Sequence, residues 1–202
     1  MLGIPYALKS AGFPKKFINQ EFKAPFGIEY VDKGLCLTGG TGIGKTMAFS
    51  LMVRDWLVDK INNSESGESL ESIYKKSNGI YRDTYGFYSP WLFISYPEFI
   101  MRLQDSYKHE KGEKTALELL ESVSKMKYLI IDDLGAEKPT EYVRQATYYI
   151  INHREMHELP TFITTNFSLD YLNDNIDPRI SSRISGMCEI IKMEGKDRRV
   201  SK

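Results

Sequence analysis

The sequence predicts an α/β domain of three layers, with helices on both faces of a mainly parallel five-stranded sheet. Two observations lead to this prediction. Short apolar segments of strand character alternate along the chain with longer segments in which apolar residues recur at helical spacing. In addition, the glycine-rich run "GGTGIGKT" stands between the first such strand and the first long helix, a position typical of phosphate-binding loops.

The predicted elements follow in a regular order after a less regular beginning. Residues 1–33 carry glycine, proline and scattered aromatic residues, which indicates an irregular arm with room for one helix. Strands are predicted at "LCLT" (35–38), "WLFIS" (91–95), "YLIID" (128–132), "TFITT" (161–165) and "CEIIK" (188–192). Helices are predicted at 45–60, 97–107, 114–124 and 140–158, and one more begins at "DPRISSRI" (177–184). The polar, turn-rich residues 61–90 are predicted to be an insertion that packs on its own domain or on a partner protein.

The composition suits one globular domain without a membrane segment. A chain of 202 residues is long enough to bury a real core. Lysine and arginine together number 27, as do aspartate and glutamate, so the formal net charge is zero. A nucleic-acid partner must therefore be held by a local basic surface. The apolar runs are too short to cross a bilayer and the first residues lack the pattern of a signal peptide, so we expect a cytoplasmic protein.

The run "GGTGIGKT" fits the phosphate-loop pattern G-x-x-x-x-G-K-[ST]. Its glycines allow backbone N–H groups to close around phosphates, and the following helix adds the positive end of its dipole. Lys45 is placed to reach the β- and γ-phosphates of ATP, and Thr46 to bind Mg²⁺. The alternative is a glycine-rich turn before an ordinary helix. The predicted nucleotide-binding residues are Gly39, Gly40, Thr41, Gly42, Ile43, Gly44, Lys45 and Thr46.

Two further strands end on polar residues suited to the same site. "YLIIDD" ends on Asp132, which is placed to hold Mg²⁺ through water, and on Asp133, which points differently and could orient or deprotonate the attacking water. "TFITTN" ends on Asn166, whose amide could position a water near the γ-phosphate. Taken alone, "IIDDLG" could be a strand that runs into a turn, and Asn166 could be a turn former.

The short helix of "DPRISSRI" carries a pair of arginines. Asp177 can cap the free N–H groups, and Pro178 suits the first turn because no hydrogen-bond donor is needed there. Arg179 and Arg183 then lie one turn apart on one face, where like charges repel by roughly 0.2–0.5 kcal/mol. From the residues alone, salt bridges with nearby acids on the surface are the expected role of this pair.

The motifs "GGTGIGKT", "YLIIDDLGAEKPTEY", "TFITTN", "RISSRI" and "GKDRR", in this order, resemble the AAA+ ATPases of the DnaC/DnaI helicase-loader family. They are also similar to the IstB transposition-helper ATPases, which are close relatives. The resemblance runs from about Phe13 to the C-terminus. It implies a three-layer P-loop NTPase fold of the AAA+ type. Because the sequence stops just after Arg199, we expect any C-terminal lid to be minimal. Residues 1–33 would form an arm that leads into the ATPase domain at 34–202.

The resemblance also implies an activity, partners and residue roles. The protein would hydrolyse ATP with Mg²⁺, assemble into an ATP-dependent oligomer, serve a replicative helicase and contact single-stranded DNA. Asp133 would support hydrolysis, and Asn166 would sense the γ-phosphate. Arg183 would be the finger that reaches the nucleotide of a neighbouring subunit. Arg199 would sense the nucleotide of its own subunit, with the adjacent Arg198 left open for that role.

Two other functions are left open by the sequence, and a third is disfavoured. The chain could be a transposition helper that partners a transposase, or an adaptor in which ATP joins subunits with negligible hydrolysis. A P-loop kinase of small molecules lacks support, because no arginine-bearing lid for a substrate phosphate is evident and Asn166 and Arg183 would have no role.

Overall fold

The computed structural model describes residues 4–20, 24–63, 81–82, 88–106 and 115–199. Its strands are β1 (Leu35–Thr38), β2 (Tyr81–Arg82), β3 (Tyr88–Ser89), β4 (Trp91–Ser95), β5 (Tyr128–Asp132), β6 (Thr161–Thr165) and β7 (Glu189–Lys192). Its helices are α1 (Ile4–Ser10), α2 (Lys15–Ile18), α3 (Lys45–Asn62), α4 (Tyr96–Asp105), α5 (Ala116–Ser124), α6 (Glu141–Met156), α7 (Leu169–Asn175) and α8 (Pro178–Met187), with a 3₁₀ helix at Ile28–Asp32.

Five of the strands form one sheet, in the order β4-β5-β6-β1-β7. Each described pair in this sheet is parallel, which confirms the predicted fold class. The carboxyl ends of parallel strands share one edge of a sheet, and ligand sites of open α/β sheets lie at that edge. β6 lies between β5 and β1, so the segments that follow these three strands are neighbours there. Residues 39–46, 133 and 166 all leave the sheet at this edge.

Helices cover both faces of the sheet, so the three-layer arrangement is confirmed. On one face, Phe49 and Trp56 of α3 belong to a core that also includes Phe162 of β6. On the other face, α4 to α8 pack against a second core that includes Leu129 and Ile163. Within the described ranges, none of these helices has the length and apolar character that a membrane crossing requires.

The N-terminal segment contains more regular structure than the sequence predicts. In place of an irregular arm with one helix, it forms α1, α2 and the 3₁₀ helix. The N–H of Phe93, on the edge strand β4, donates to Ala11 O at 2.7 Å. The rings of Phe13 and Phe93 lie with centroids 5.0 Å apart, and Ser50 Oγ donates to Phe17 O at 2.8 Å. Such short helices give no clear periodicity, so packing on β4 and α3 accounts for them better than local sequence does.

One helix, α7, is absent from the prediction, and one strand begins later than predicted. In α7 only Leu172 is buried, so no apolar period marks this helix in the sequence. Ser168 begins it by accepting a hydrogen bond from the Tyr171 N–H at 3.1 Å. The last strand begins at Glu189, because the N–H of Cys188 still donates to a carbonyl of α8.

The predicted insertion at residues 61–90 lies mostly outside the described residues. Its described parts are the end of α3, the short strands β2 and β3, which pair antiparallel, and the residue before β4. How this segment packs, and on what, stays a prediction.

A buried arginine ties the amino edge of the sheet to α6. Arg154 is 0% exposed, and its guanidinium donates to the carbonyls of Ser124, Met126 and Pro160 at 3.0, 2.6 and 2.7 Å. Its Nε donates to Thr161 Oγ1 at 2.8 Å. Burial lowers the pKa of Arg154 to about 9, which leaves the group charged at neutral pH. The network fixes the end of α6, the helix that also contacts the arginine pair of α8.

Arg154→Met is expected to lower the free energy of unfolding by about 3 kcal/mol or more, because each buried carbonyl left without a donor costs about 1–3 kcal/mol. Urea denaturation measures the change. Arg102→Met is the matched control, since the Arg102 side chain is 73% exposed and pairs with Glu98 one turn away. The control is expected to stay within about 0.5 kcal/mol of the parent. Equal losses in the two variants would contradict the role given to Arg154.

Candidate nucleotide-binding site

The phosphate-loop candidate connects β1 to α3. Gly44, with φ of 104°, directly precedes the helix. Glycine is required at Gly39 and Gly42, where φ is 137° and 74°. A Cβ at Gly39 would lie 2.3 Å from Met193 O, and one at Gly42 would lie 1.8 Å from Asp197 Oδ1. The loop backbone is therefore packed against the segment that follows β7.

The side chain of Lys45 folds back over this loop. It is only 6% exposed, and Nζ donates to Gly39 O, Gly40 O and Asn166 Oδ1, each at 2.7 Å. Burial lowers the pKa of Lys45, and the neighbouring carboxylates act in the opposite direction. The lysine thus brings a positive charge to the loop and joins it to the end of β6. Phosphate oxygens are the natural replacement for its two carbonyl acceptors.

The side chains of Thr46 and Asp132 meet at a place suited to a hard cation. Thr46 Oγ1 donates to Asp132 Oδ1 at 2.8 Å, and Thr164 Oγ1 donates to the same oxygen at 2.8 Å. Burial raises the pKa of Asp132, and the two hydroxyl donors oppose this rise. A hydroxyl and a carboxylate in contact are oxygen ligands of the kind that Mg²⁺ prefers, and Mg²⁺ usually takes its remaining ligands from phosphates and water. These residues therefore fit the metal.

Asp133 follows β5 in a left-handed conformation, with φ of 60°. This conformation costs roughly 1–2 kcal/mol for most residues, although aspartate tolerates it better. The Asp133 N–H donates to Thr164 Oγ1 at 2.8 Å, and Asn166 Nδ2 donates to Asp133 Oδ1 at 3.4 Å. Because Asn166 Oδ1 also accepts from Lys45, its amide joins the lysine to the carboxylate. The structure thus brings the predicted residues of three strand ends into one chain of contacts.

The two arginines near the end of the described chain lie beside the loop. The Arg198 N–H donates to Gly42 O at 3.0 Å, and the Arg199 N–H donates to Asp197 Oδ1 at 2.8 Å. The charge of Arg199 is one of the groups that lower the pKa of Lys45. Both arginines are exposed. Their positions leave the choice of nucleotide sensor between Arg199 and Arg198 open.

Known proteins similar to this chain include helicase loaders and a replication initiator. No family model matches the chain. The replicative helicase loader DnaI of Bacillus subtilis (strain 168) is 27% identical over 180 residues, which cover 83% of this chain and 48% of that protein. This chain thus spans about half the length of the curated relative.

A crystal structure of the DnaC helicase loader is 24% identical, with a TM-score of 0.55, and the match covers 84% of this chain and 82% of that one. A structure of the replication initiator DnaA bound to AMPPCP and single-stranded DNA is 17% identical, with a TM-score of 0.55, and the match covers 84% of this chain and 43% of that one.

The chain shares the fold of these loader and initiator structures. Its similarity to the DnaC and DnaI loaders confirms the resemblance predicted from the motifs. The sheet order and the loop between β1 and α3 are the parts of this fold on which the candidate site depends.

The arginine pair lies on another surface, where α8 packs on α6. Arg179 Nε and Nη2 donate to the two carboxylate oxygens of Asp177 at 3.0 and 2.7 Å, and this contact holds the pKa of Asp177 below its usual value. Arg183 Nε lies 3.0 Å from Glu155 Oε2. The two guanidinium groups lie 4.6 and 5.0 Å from the ring centroid of Tyr148. Each arginine therefore has its own acid, as the salt-bridge alternative predicts.

The contacts described for Arg183 are all with α6 and with its own helix. Nε donates to Asn152 Oδ1 at 3.0 Å, and Nη2 donates to Tyr148 OH at 3.2 Å. The side chain is 27% exposed. These contacts do not join Arg183 to the phosphate loop of its own chain, and its action on a neighbour's nucleotide stays a prediction.

The predicted N-terminal cap of α8 is confirmed, since Asp177 Oδ1 accepts from the Arg179 N–H at 2.8 Å.

Sequence reasoning missed two side chains at these places, Thr164 and Tyr148. Thr164 precedes Asn166 by two residues on a strand, so the two side chains point to the same face of the sheet. That alternation is a signal that could have found Thr164. Tyr148 has no comparable signal, because its place between two arginines depends on how α6 packs on α8.

Proposed function

We propose that this chain is an ATPase of the helicase-loader type that acts in DNA replication in the cytoplasm. It binds ATP with Mg²⁺ at the loop Gly39–Thr46 and hydrolyses it where two copies of the chain meet. The observation that carries the proposal is the chain of contacts from Lys45 through Asn166 to Asp133, beside the contact of Thr46 with Asp132.

Each residue at this edge of the sheet has a separate task in the proposal. Lys45 exchanges its two loop carbonyls for the β- and γ-phosphates. Thr46 and Asp132 would hold Mg²⁺, Asp132 through water, and the ion would supply positive charge that neutralises the phosphates. Asp133 orients or deprotonates the attacking water, and Asn166 senses the γ-phosphate from its place between Lys45 and Asp133.

The proposal assigns Arg183 to a neighbouring subunit's nucleotide. Its partially exposed guanidinium lies against α6 rather than at its own loop, which supports a role toward another chain's ATP. Arg199, or the adjacent Arg198, senses the nucleotide of the same chain. Residues 34–202 form the ATPase domain in this proposal, and residues 1–33 form the arm that leads into it.

A replicative helicase is the proposed partner, and single-stranded DNA the proposed ligand of the assembly. Similarity to helicase loaders supports the first, and the likeness to a DNA-bound initiator supports the second. The formal net charge of zero gives a single chain little long-range attraction for DNA, so affinity should come from several chains along one strand. Pull-down against the helicase and the transposases of the same cell distinguishes a loader from a transposition helper.

The experiment that tests the proposed function measures ATP hydrolysis per chain over a range of protein concentrations. Hydrolysis is expected to rise with concentration, because each site is completed by a neighbour. A labelled single-stranded oligonucleotide in the same samples, followed by fluorescence anisotropy, is expected to bind only when ATP is present.

Asp133→Asn is expected to keep ATP and Mg²⁺ binding but to hydrolyse ATP slower by a factor of roughly ten or more, the general range for a positioned acid–base group.

Asp170→Asn, at an exposed aspartate of α7, is the control and should hydrolyse ATP at the parent rate. An Asp133→Asn variant that also matches the parent would favour the adaptor without hydrolysis, or another base. A rate independent of protein concentration would contradict completion of the site by a neighbour. Tight oligonucleotide binding by a single chain without nucleotide would contradict the assembly on DNA.

A further inference from the structure

We infer that Thr164 is a positioning residue that holds the metal-binding carboxylate of Asp132 and the turn at Asp133, so that its hydroxyl sets the affinity for Mg²⁺ with nucleotide. The inference rests on the proposed function, in which these two residues hold Mg²⁺ and orient water. Thr164 lies on β6, outside the glycine-rich loop, and its hydroxyl contacts Asp132 and Asp133.

The hydroxyl of Thr164 connects two consecutive residues of the neighbouring strand end. Oγ1 donates its proton to Asp132 Oδ1 at 2.8 Å and accepts from the Asp133 N–H at 2.8 Å. The Thr164 carbonyl accepts from the Leu134 N–H at 2.9 Å. Thr164 is 0% exposed, so water has no access to replace these bonds. One buried hydroxyl thus fixes both the side chain of Asp132 and the backbone that follows it.

The two bonds have different consequences for the site. The bond to Asp132 Oδ1 fixes the carboxylate from the β6 side, while Thr46 fixes the same oxygen from the α3 side. The bond from the Asp133 N–H supports a left-handed residue, with φ of 60°. Without this acceptor, a relaxed Asp133 would carry its carboxylate away from Asn166. Loss of the hydroxyl should therefore weaken metal binding and misplace the group that orients water.

The next residue along β6 is a matched control. Thr165 is also 0% exposed, and its Oγ1 donates to Leu134 O at 2.8 Å and accepts from the Phe167 N–H at 3.2 Å. Thr165→Val therefore removes one donated and one accepted bond from a buried threonine, as Thr164→Val does. Only Thr164→Val removes a bond to a carboxylate, that of Asp132.

The experiment measures the affinity for AMPPCP by calorimetry at a series of Mg²⁺ concentrations, with thermal unfolding recorded for each variant. Thr164→Val is expected to raise the Mg²⁺ concentration for half-maximal binding by about 10- to 100-fold, the usual effect of removing a partner of a metal ligand. Thr164→Ser keeps the hydroxyl and is expected to restore the parent value. Thr165→Val is expected to lower the unfolding temperature without a change in the Mg²⁺ requirement.

A Thr164→Val variant with the parent's Mg²⁺ requirement, or equal changes in both valine variants, would overturn the inference. If Thr164→Val does not fold, Thr164→Cys takes its place, because a thiol keeps most of the volume and is only a weak donor. A parent protein that does not bind AMPPCP at any Mg²⁺ concentration would overturn the proposed function itself, and the inference with it.

Discussion

Lys45→Ala is expected to abolish measurable ATP binding. The Nζ group is a buried positive charge that already makes three hydrogen bonds of 2.7 Å at the loop, two of them to carbonyls that phosphates can replace. A hydrogen bond to a charged group contributes about 1.5–3 kcal/mol. Two such bonds to the β- and γ-phosphates correspond to an affinity loss of about 100-fold or more. Calorimetric titration with ATP and Mg²⁺ measures this loss.

Two controls separate this effect from a general loss of structure. Lys60→Ala removes an exposed lysine from the same helix, and the ATP affinity of that variant should equal the parent's. The thermal unfolding of Lys45→Ala should remain cooperative, because Gly39 is half-buried and Gly40 exposed, so water can replace the lysine at their carbonyls. Parent-like affinity in a folded Lys45→Ala protein would remove the phosphate-loop assignment.

The strands could be predicted because they depend on local pattern. The sheet edge at which the site residues lie could be predicted because it follows from one rule of topology. "LCLT" and "TFITT" are short apolar or β-branched runs bounded by turn residues, and β1 and β6 have the same limits in the structure. Once the strands are parallel, Asp132 and Asn166 must lie at the same edge of the sheet as the glycine loop. The place of these residues therefore follows from the order of elements, although their roles do not.

The contacts between distant segments could not be predicted, because no local pattern encodes them. The arm packs on β4 through the bond of Phe93 to Ala11, which depends on tertiary structure alone. The spacing of Arg179 and Arg183 is visible in the sequence, but the acid beside Arg183 lies on α6. The repulsion expected for such a pair is opposed by the ring of Tyr148 and by the carboxylates of Asp177 and Glu155.

Arg183→Ala is expected to remove most ATP hydrolysis while ATP affinity in the isolated chain stays intact. An arginine finger contributes roughly 10³–10⁵ in rate. The affinity should not change, because the described contacts of Arg183 lie on α6 and α8, away from the proposed nucleotide-binding loop. Phosphate release and calorimetry measure the two quantities separately. Arg179→Ala is the control on the same helix, and we expect it to weaken assembly more than the chemical step.

Mixing two inactive variants tests whether the arginine acts across a subunit boundary. An Arg183→Ala chain keeps an intact phosphate loop, and a Lys45→Ala chain keeps an intact arginine. Where such chains are neighbours, one complete site forms, so the mixture should recover a fraction of the lost turnover. The recovery requires Arg183 to leave Glu155 and Asn152, and a phosphate of the neighbour is a stronger acceptor for a guanidinium than the amide it replaces. If the mixture stays inactive while both variants fold and assemble, Arg183 acts only within its own chain, as the partner of Glu155.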